Sequence, residues 1–315
     1  MNALARSLQD LHYMLFGAVV KLSGGLRSPQ KSFALASALG AIRSHFGYIG
    51  PGWSRKKYLG TIRAVFPQIS AIDAAALLKA YWVNHQKRFM ELFLVRELTP
   101  QNLERLVEFS GLEHLDRALE RKRGVILPVP HIGNERLHHI ALAVKGYPLA
   151  VISSKYEDHG EFARKIKIEA SRRFHEVGYP GDTTWLLKML KQNRVLQVAS
   201  TAEPGPQGVI VNFLGQKILL PTGWVRLALR TEAAVLPSTL IRQADDRHLL
   251  VIHPEIKLNR ADKRKIHLQD NVQRFMDIVA EFYRERPDLV DWMALTVRLE
   301  ESQRAKEQRN LRITN

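Results

Sequence analysis

Gly124-Val-Ile-Leu-Pro-Val-Pro-His-Ile-Gly-Asn-Glu-Arg-Leu-His-His139 places a histidine between two secondary-structure signals. The apolar run from Gly124 to Val129 reads as a buried strand, and Leu137, Ile140 and Leu142 mark the helix that follows. His131 then projects from a strand-to-helix turn, where a rigid scaffold presents an accessible side chain. Asn134 is placed to cap the helix and Glu135 to lie in its first turn. A neutral imidazole beside a carboxylate can accept a proton while the carboxylate fixes its tautomer and stabilises the charged form. A His and a Glu four apart are also an ordinary pair of satisfied polar residues, so chemistry at this turn needs support from the rest of the chain.

Towards the C-terminus the same strand-then-helix pattern repeats as far as Glu255. Strands are expected at Val125–Val129, Leu149–Ser153, Val195–Ala199, Val209–Phe213, Ala234–Ile241 and His248–His253. Helices are expected near Glu135–Val144, Glu161–Phe174, Thr184–Gln192 and Gly223–Arg230, with a further one from Leu268 to Arg286 that stops before Pro287. Such alternation predicts an α/β fold with a mixed, mostly parallel sheet flanked by helices, closed by hairpin-like strands late in the chain. Towards the N-terminus, residues 1–100 form a helical region. There Leu78, Trp82, His85, Phe89 and Leu92 recur at spacings of four and three and share one helical face. Tyr48-Ile-Gly-Pro-Gly-Trp53 interrupts that region, and Phe66-Pro67 ends another helix. Residues 301–315 are a charged tail, expected to be frayed or solvated. With no internal repeat and no clear linker, the 315 residues read as a single domain with an α/β core over 120–300.

Composition narrows the chemistry. The chain has no cysteine, which excludes disulfides, zinc–thiolate and iron–sulfur sites and a cysteine nucleophile, and is compatible with a reducing cytosol. Lys plus Arg number 47 against 31 Asp plus Glu, a formal net charge of +16. Such a surface favours anionic partners: phosphate-bearing lipid, a negatively charged bilayer, an acidic carrier protein or nucleic acid. No secretory signal is evident at the N-terminus. The apolar stretch Leu11–Val20 is closed by Lys21 and is too short for a span of about 20 residues, so it reads either as a core helix or as an interfacial one.

A second block carries turn chemistry: Thr201-Ala-Glu-Pro-Gly-Pro-Gln-Gly-Val-Ile-Val-Asn-Phe-Leu-Gly215, then Leu220-Pro-Thr-Gly223 and Leu227 to Pro237. Pro-Gly-Pro stiffens one turn, Gly215 permits another, and Thr222 stands as a cap for the next helix. In these pieces and their order the chain resembles the lipid A late acyltransferases, a branch of the lysophospholipid acyltransferase superfamily. Phe66-Pro67-Gln-Ile-Ser70 with Glu91 resembles its N-terminal helical region. Gly124-Val-Ile-Leu and His131-Ile-Gly-Asn134 resemble its strand and catalytic histidine. Gly208 to Gly215, Pro221-Thr-Gly223 and Leu227 to Arg242 resemble its later core, and Pro287 with Trp292 its C-terminal ending.

The resemblance implies an acyltransferase that moves a fatty acyl group from acyl-carrier protein or acyl-CoA to a hydroxyl of a membrane lipid such as a lipid A precursor, with no cofactor and no metal. It implies His131 as general base, Glu135 as the group holding the imidazole, and backbone N–H groups near the helix start as oxyanion donors. Arg172 or Arg173 stands near the family's functional arginine, suited to an acceptor phosphate, and Glu203 matches an acidic position where Thr201 replaces a partner acid. The family's acid follows its histidine after four intervening residues. Here that place holds Arg136, and Glu135 comes one position early, a rotation of about 100° on a helix. A local bulge restoring the contact, Glu203 in the orienting role, and a catalytically degenerate lipid- or carrier-binding protein all remain open.

Two other classes compete. On a continuous helix His131, Glu135 and His138 would share a face and could hold zinc, but Pro130 and Gly133 place His131 ahead of the helix and the His-Glu-x-x-His spacing is absent. A basic nucleic-acid-binding protein is suggested by charge alone; no helix-turn-helix, RNP-like or finger signature accompanies it, so no nucleic acid is expected as partner. Apolar N-terminal helices and a basic surface together predict a peripheral protein on the cytoplasmic face of the inner membrane, drawn to an anionic surface.

Overall fold

The run after Gly124 folds as β2 (Val125–Val129), with every residue buried. The structure is a computed structural model and describes residues 3–46, 55–152, 160–171, 176–204, 207–260 and 265–313. β2 pairs in parallel with β5 (Val195–Ala199) on one side and β8 (Ala234–Val235) on the other. β3 (Leu149–Ile152) lies beyond β5 and β4 (Glu176–Gly178) closes that edge, so the sheet runs β4-β3-β5-β2-β8 and is wholly parallel. Helices cover both faces of such a sheet, and a strand buried on both sides is apolar throughout. β8 reaches only Val125 and Ile126, with Leu236 N donating to Ile126 O. Pro128, which has no N–H to give, therefore meets an edge of β2 that needs no donor.

Side chains of β2 alternate between two cores, as the period of two requires. Ile126 packs with Leu196, Val198 and Ala150 against α8 (Thr183–Lys191), α9 (Gly223–Thr231) and α10 (Lys265–Glu285). Val125, Leu127 and Val129 face the opposite way, against α5 (Leu112–Glu120) and α6 (Glu135–Lys145). α6 is specified at both ends. The Asn134 side chain accepts from Arg136 N and Leu137 N, and Gly146, at φ 106°, lets the chain turn back and donate to Ala143 O and Leu142 O.

Beside this sheet, β1 (Val107–Ser110) runs parallel to β10 (His248–Ile252), which pairs antiparallel with β9 (Ser238–Arg242). β6 (Val209–Phe213) and β7 (Gln216–Leu220) form a hairpin whose loop residues, Leu214 and Gly215, both have positive φ. The N-terminal region is helical as expected: α1 (Ala3–Leu22), α2 (Pro29–Phe46), α3 (Arg55–Val65) and α4 (Ala71–Leu94). Ser70 caps α4 by accepting from Asp73 N, and Leu78, Trp82 and Leu92 are buried along its inner face. α7 (Glu161–Ser171) packs across α1 and α4.

Several expectations need correction. Ala234–Ile241 is two strands in two sheets, because Pro237 cannot continue a ladder and the chain changes sheet there. The charged tail is solvated rather than frayed: α11 (Trp292–Ile313) continues as a helix with Gln303, Arg304 and Glu307 exposed, while Arg298 pairs with Glu301 and buried Ser302 accepts from Leu219 N. Thr222 does not cap α9; its hydroxyl donates to Gln207 O and accepts from Arg226 Nε. The interruption at Tyr48–Trp53 lies outside the described residues.

Candidate functional site

His131 stands just beyond the carboxyl end of β2, and Thr201 just beyond the carboxyl end of the neighbouring strand β5. Ser200 N donates to Val129 O at 3.0 Å, which zips the two strand ends together. Their side chains meet in a short hydrogen bond between His131 Nδ1 and Thr201 Oγ1. The crevice outside the carboxyl ends of parallel strands is where α/β sheets bind ligands. Here it presents a half-buried imidazole whose Nδ1 is already engaged, leaving Nε2 for other work.

The turn carrying His131 is clamped rather than helical. His131 O accepts from Asp291 N at 3.0 Å and from the Tyr283 hydroxyl at 3.1 Å. Ile132 forms a bridge with Val290, and Gly133 N donates to Leu289 O at 2.9 Å. Gly133 has φ +68°, and a Cβ there would lie 1.9 Å from Leu240 O, so only glycine fits. The helix starts only at Glu135, and His131, Glu135 and His138 do not share a face. His138 instead points into the core, between Gln197 Oε1 at 2.8 Å and Ser238 Oγ at 2.5 Å, and burial pulls its pKa down to about 4. That divergence removes the three-ligand zinc arrangement. Of the N–H groups at the helix start, Gly133, Arg136, Leu137 and His138 donate within the protein. Among the described hydrogen bonds, Asn134 N and Glu135 N donate to nothing.

Two carboxylates stand near the histidine, and Arg88 of α4 reaches both. Glu135 lies 3.8 Å from Arg88 Nη1 and makes no hydrogen bond to His131. The expected His131–Glu135 contact is therefore replaced by His131–Thr201 and Glu135–Arg88, because a helix beginning at Glu135 carries its carboxylate towards α4. Asp291, at the start of α11, is buried; it accepts from Arg88 Nη2 at 2.9 Å, from the Tyr81 hydroxyl at 3.2 Å and from Ala294 N at 3.0 Å. Burial alone would raise its pKa, but Arg88, and then the imidazoles of His131 and His85, hold it well below the usual carboxylate range. Asp291 is thus a fixed negative charge within electrostatic reach of His131. Burial, then the charges of Asp291 and Glu135, push the Tyr283 hydroxyl upwards, so it stays a donor to His131 O.

A closed polar cluster supports the turn from below. Glu91 is wholly buried and accepts from Arg242 Nη2 at 2.7 Å, His248 Nε2 at 2.6 Å and Asn134 Nδ2 at 2.7 Å. Burial opposes its ionisation, but Arg242 and His248 outweigh that and bring its pKa down to about 2. Glu91 thereby ties α4 to β9, to β10 and to the cap of α6.

Alongside lies an open cleft of about 140 Å³ between α1, α4, α6 and α7. Tyr13, Phe89 and Leu92 give it an apolar wall; Arg88, Arg136 and Lys167 give it cations; Asn134 and Glu135 connect it to the His131 turn. Of the residues expected to bind substrate, Arg172 and Arg173 lie outside the described residues. Glu203 is exposed on the turn after β5, two positions beyond Thr201. Arg88, Asp291 and Tyr283 gave no sequence signal, since each is remote from His131 along the chain. Thr201 gave a partial one, by standing where a partner acid was expected.

Comparison with known proteins points one way. The family model described as bacterial lipid A biosynthesis acyltransferase matches residues 33–301. A phosphatidylinositol mannoside acyltransferase of Mycobacterium tuberculosis is 26% identical over 212 residues, 65% of this chain and 66% of that protein. The protein of the same name from Mycolicibacterium smegmatis is 23% identical over 210 residues, 65% of this chain and 68% of its own length. The chain thus matches just under two thirds of the length of the first of these relatives. The crystal structure of the 1-acyl-sn-glycerophosphate acyltransferase PlsC from Thermotoga maritima covers 80% of this chain and 99% of its own, at a TM-score of 0.38 and 14% identity, too loose a superposition to carry weight beside the family match.

Proposed function

This chain belongs to the bacterial lipid A biosynthesis acyltransferase family, and from that premise we propose that it transfers a fatty acyl group from an acyl thioester to a hydroxyl of a membrane lipid. The observation that carries the reading is the His131–Thr201 pair at the carboxyl ends of adjacent parallel strands, on a turn whose next residues, Asn134 and Glu135, line a cleft with apolar and cationic side chains. With Nδ1 donating to Thr201, His131 Nε2 takes the proton of the acceptor hydroxyl as its oxygen attacks the thioester carbonyl. The N–H groups of Asn134 and Glu135, at the positive end of α6, are placed to stabilise the tetrahedral oxyanion. Collapse breaks the C–S bond, and the leaving thiolate takes the proton back from the imidazolium. Asp291 lowers the cost of that transient imidazolium, so the orienting duty expected of Glu135 is divided between Thr201 and Asp291.

The donor is acyl-carrier protein or acyl-CoA, both anionic and suited to a chain of net charge +16. The acceptor is a phosphate-bearing lipid, a lipid A precursor or a phosphatidylinositol glycolipid of the kind named for the mycobacterial relatives. Peripheral attachment to the cytoplasmic face of the inner membrane fits α1, which exposes Leu4, Leu11, Met14, Leu15 and Leu22 beside Arg6 and Lys21. Among the described residues no helix is long and apolar enough to cross a membrane.

The test is direct. Purified protein is incubated with acyl-carrier-protein and CoA thioesters and a bacterial lipid extract, and products are read by mass. A new acylated lipid that disappears with His131→Ala supports the reading. The engagement of Glu135 by Arg88 favours one other reading, a fold that binds lipid or carrier without turnover. Intact lipid binding with no product from either thioester would establish it instead.

A further inference from the structure

With Thr201 and Asp291 serving His131, the carboxylate of Glu135 has no contact with the imidazole, yet it stands in the wall of the adjoining cleft. Glu135 opens α6, where the positive end of the helix dipole favours a negative side chain. That placement suits its charge but gives it no hydrogen-bond donor. The side chain is 38% exposed, and Oε2, although turned inward and buried, makes no hydrogen bond. The nearest cation, Arg88 Nη1, is 3.8 Å away, because the guanidinium is drawn to Asp291, which accepts from Nη2 at 2.9 Å. Buried polar atoms are bonded as a rule, and a donor carried by a ligand completes this one.

The surroundings narrow the kind of donor. Arg88, Arg136 and Lys167 line the same cleft and repel an ammonium group, so a neutral donor fits. Phe89 and Leu92 offer an apolar surface to its carbon skeleton, and a space of about 140 Å³ takes a small headgroup rather than a whole lipid. Tyr283, which donates to His131 O at 3.1 Å, also feels the charge of Glu135, so the carboxylate lies within electrostatic reach of the His131 turn. We propose that Glu135 reads the acceptor: it accepts a hydrogen bond from a second hydroxyl, next to the one that is acylated, and so selects a diol or polyol headgroup over a simple alcohol. The role rests on the acyl-transfer reading for the reaction, but not for the binding. The other neutral donor among the proposed substrates, a pantetheine amide N–H, is told apart by the test.

The probes are 1-O-hexylglycerol, a vicinal diol; 3-hexyloxypropan-1-ol, the same molecule without its secondary hydroxyl; and pantetheine. Affinities for the full chain are read by saturation-transfer NMR, which needs no turnover, and acyl transfer to the two alcohols is followed by mass. Wild type should bind the diol about 10-fold more tightly than the mono-alcohol, the scale of one charge-assisted hydrogen bond in an open site. Glu135→Leu should bring that ratio to about one, while Glu135→Gln, which keeps a neutral acceptor, should leave it at about 3-fold. Both variants should melt close to the wild type, since the Glu135 carboxylate makes no hydrogen bond within the fold. In transfer they should lose the diol preference through KM, whereas a residue acting only on His131 would lower kcat for both alcohols alike. A wild type without preference, or a preference that survives Glu135→Leu, would overturn the role. Weaker pantetheine binding in Glu135→Leu with the diol ratio intact would do so too, by giving the carboxylate to the donor. A diol ratio that depends on Glu135, with no product from any thioester, would sink the transfer reading and leave this role standing; product formed equally from both alcohols would do the reverse.

Discussion

Two clusters of charge flank the His131 turn, and they are built on opposite principles. Below it, Glu91, Arg242, His248 and Asn134 form a closed set, with the carboxylate wholly buried and held by three donors. Beside it, Arg136 and Lys167 crowd a half-open cleft whose one carboxylate lies on Arg88. The first arrangement stabilises by satisfying every charge it buries. The second gathers Arg88, Arg136 and Lys167 around a solvent-open cleft next to the turn of the reactive side chain. One set ties α4, β9, β10 and the cap of α6 together, whereas the other lines open space beside the reactive side chain.

Removing the reactive side chain has the largest expected effect. His131→Ala should lower transfer by about 10²–10⁴-fold, the usual contribution of a general acid–base group, with circular dichroism and melting unchanged. A normal rate would sink the proposed chemistry. Thr201→Val should cost about 10-fold through kcat, the worth of one hydrogen bond to the imidazole, and Glu135→Ala should cost less than Thr201→Val. The reverse order would return the orienting role to Glu135.

The closed cluster is tested by stability rather than rate. Glu91→Gln leaves Arg242 buried beside Asp246 and should destabilise by about 3–5 kcal/mol in denaturant unfolding, whereas Glu135→Gln, in the open cleft 3.8 Å from Arg88, should cost less than about 1 kcal/mol. Equal losses for the two would erase the distinction between the clusters.

Acid should destabilise the buried polar groups of the fold in two stages. His138 is neutral in the fold, its pKa drawn by burial from 6.5 to about 4, so the unfolded chain takes up the proton first. Its contribution is complete above about pH 6.5 and drains away as pH falls towards 4. His139, His248 and His253 are shifted in the same direction and add to that limb. Glu91 is ionised in the fold down to about pH 2 against 4.5 in the free group, so its contribution is present above 4.5 and lost from there downwards. Unfolding free energies measured across this range should fall in both windows. His138→Gln should flatten the upper limb and Glu91→Gln the lower one; a lower limb that survives Glu91→Gln would show that other carboxylates carry it.

What could be read from the sequence divides along the same line as what is local and what is not. β2 and α6 are legible almost to the residue because an apolar run, an Asn cap and apolar residues at helical spacing all act within a few positions. The break between β8 and β9 was not, since apolar character continues across Pro237 while the strand partners change. Short edge strands such as β1 and β4 carry too few residues to show a period, and their pairing is settled by strands far along the chain. His131 announced itself by its turn. Its real neighbours did not: Thr201, Arg88, Asp291 and Tyr283 arrive from four separate elements, and no spacing rule connects them. Even the motif misled in a physical way, because counting along a helix from His131 assumes a helix that starts there, whereas Gly133 and the bridge to Val290 delay it to Glu135.

The smallest effects are expected at α1, where one helix has two faces to compare. Tyr13, Phe16 and Val20 are buried against the protein, while Leu4, Leu11, Leu15 and Leu22 are 68%, 52%, 58% and 87% exposed. Arg6, Lys21, Arg27 and Lys31 are exposed around the outer face, and Leu35 and Ile42 of α2 extend it. Cations and apolar side chains in this pattern suit an anionic bilayer surface, each basic group adding about 1 kcal/mol near it and each partly inserted leucine about as much. Purified protein should therefore sediment with vesicles containing anionic lipid and be released as salt rises, because screening over about 10 Å at 0.1 M weakens the basic contribution first. Leu11→Ser and Leu15→Ser should each reduce vesicle binding about 5-fold without lowering the melting temperature, since neither side chain packs inward. Tyr13→Ser should do the opposite, lowering the melting temperature with little direct effect on vesicles. Protein that resists high salt and leaves the vesicles only with detergent would show an attachment deeper than this outer face can make.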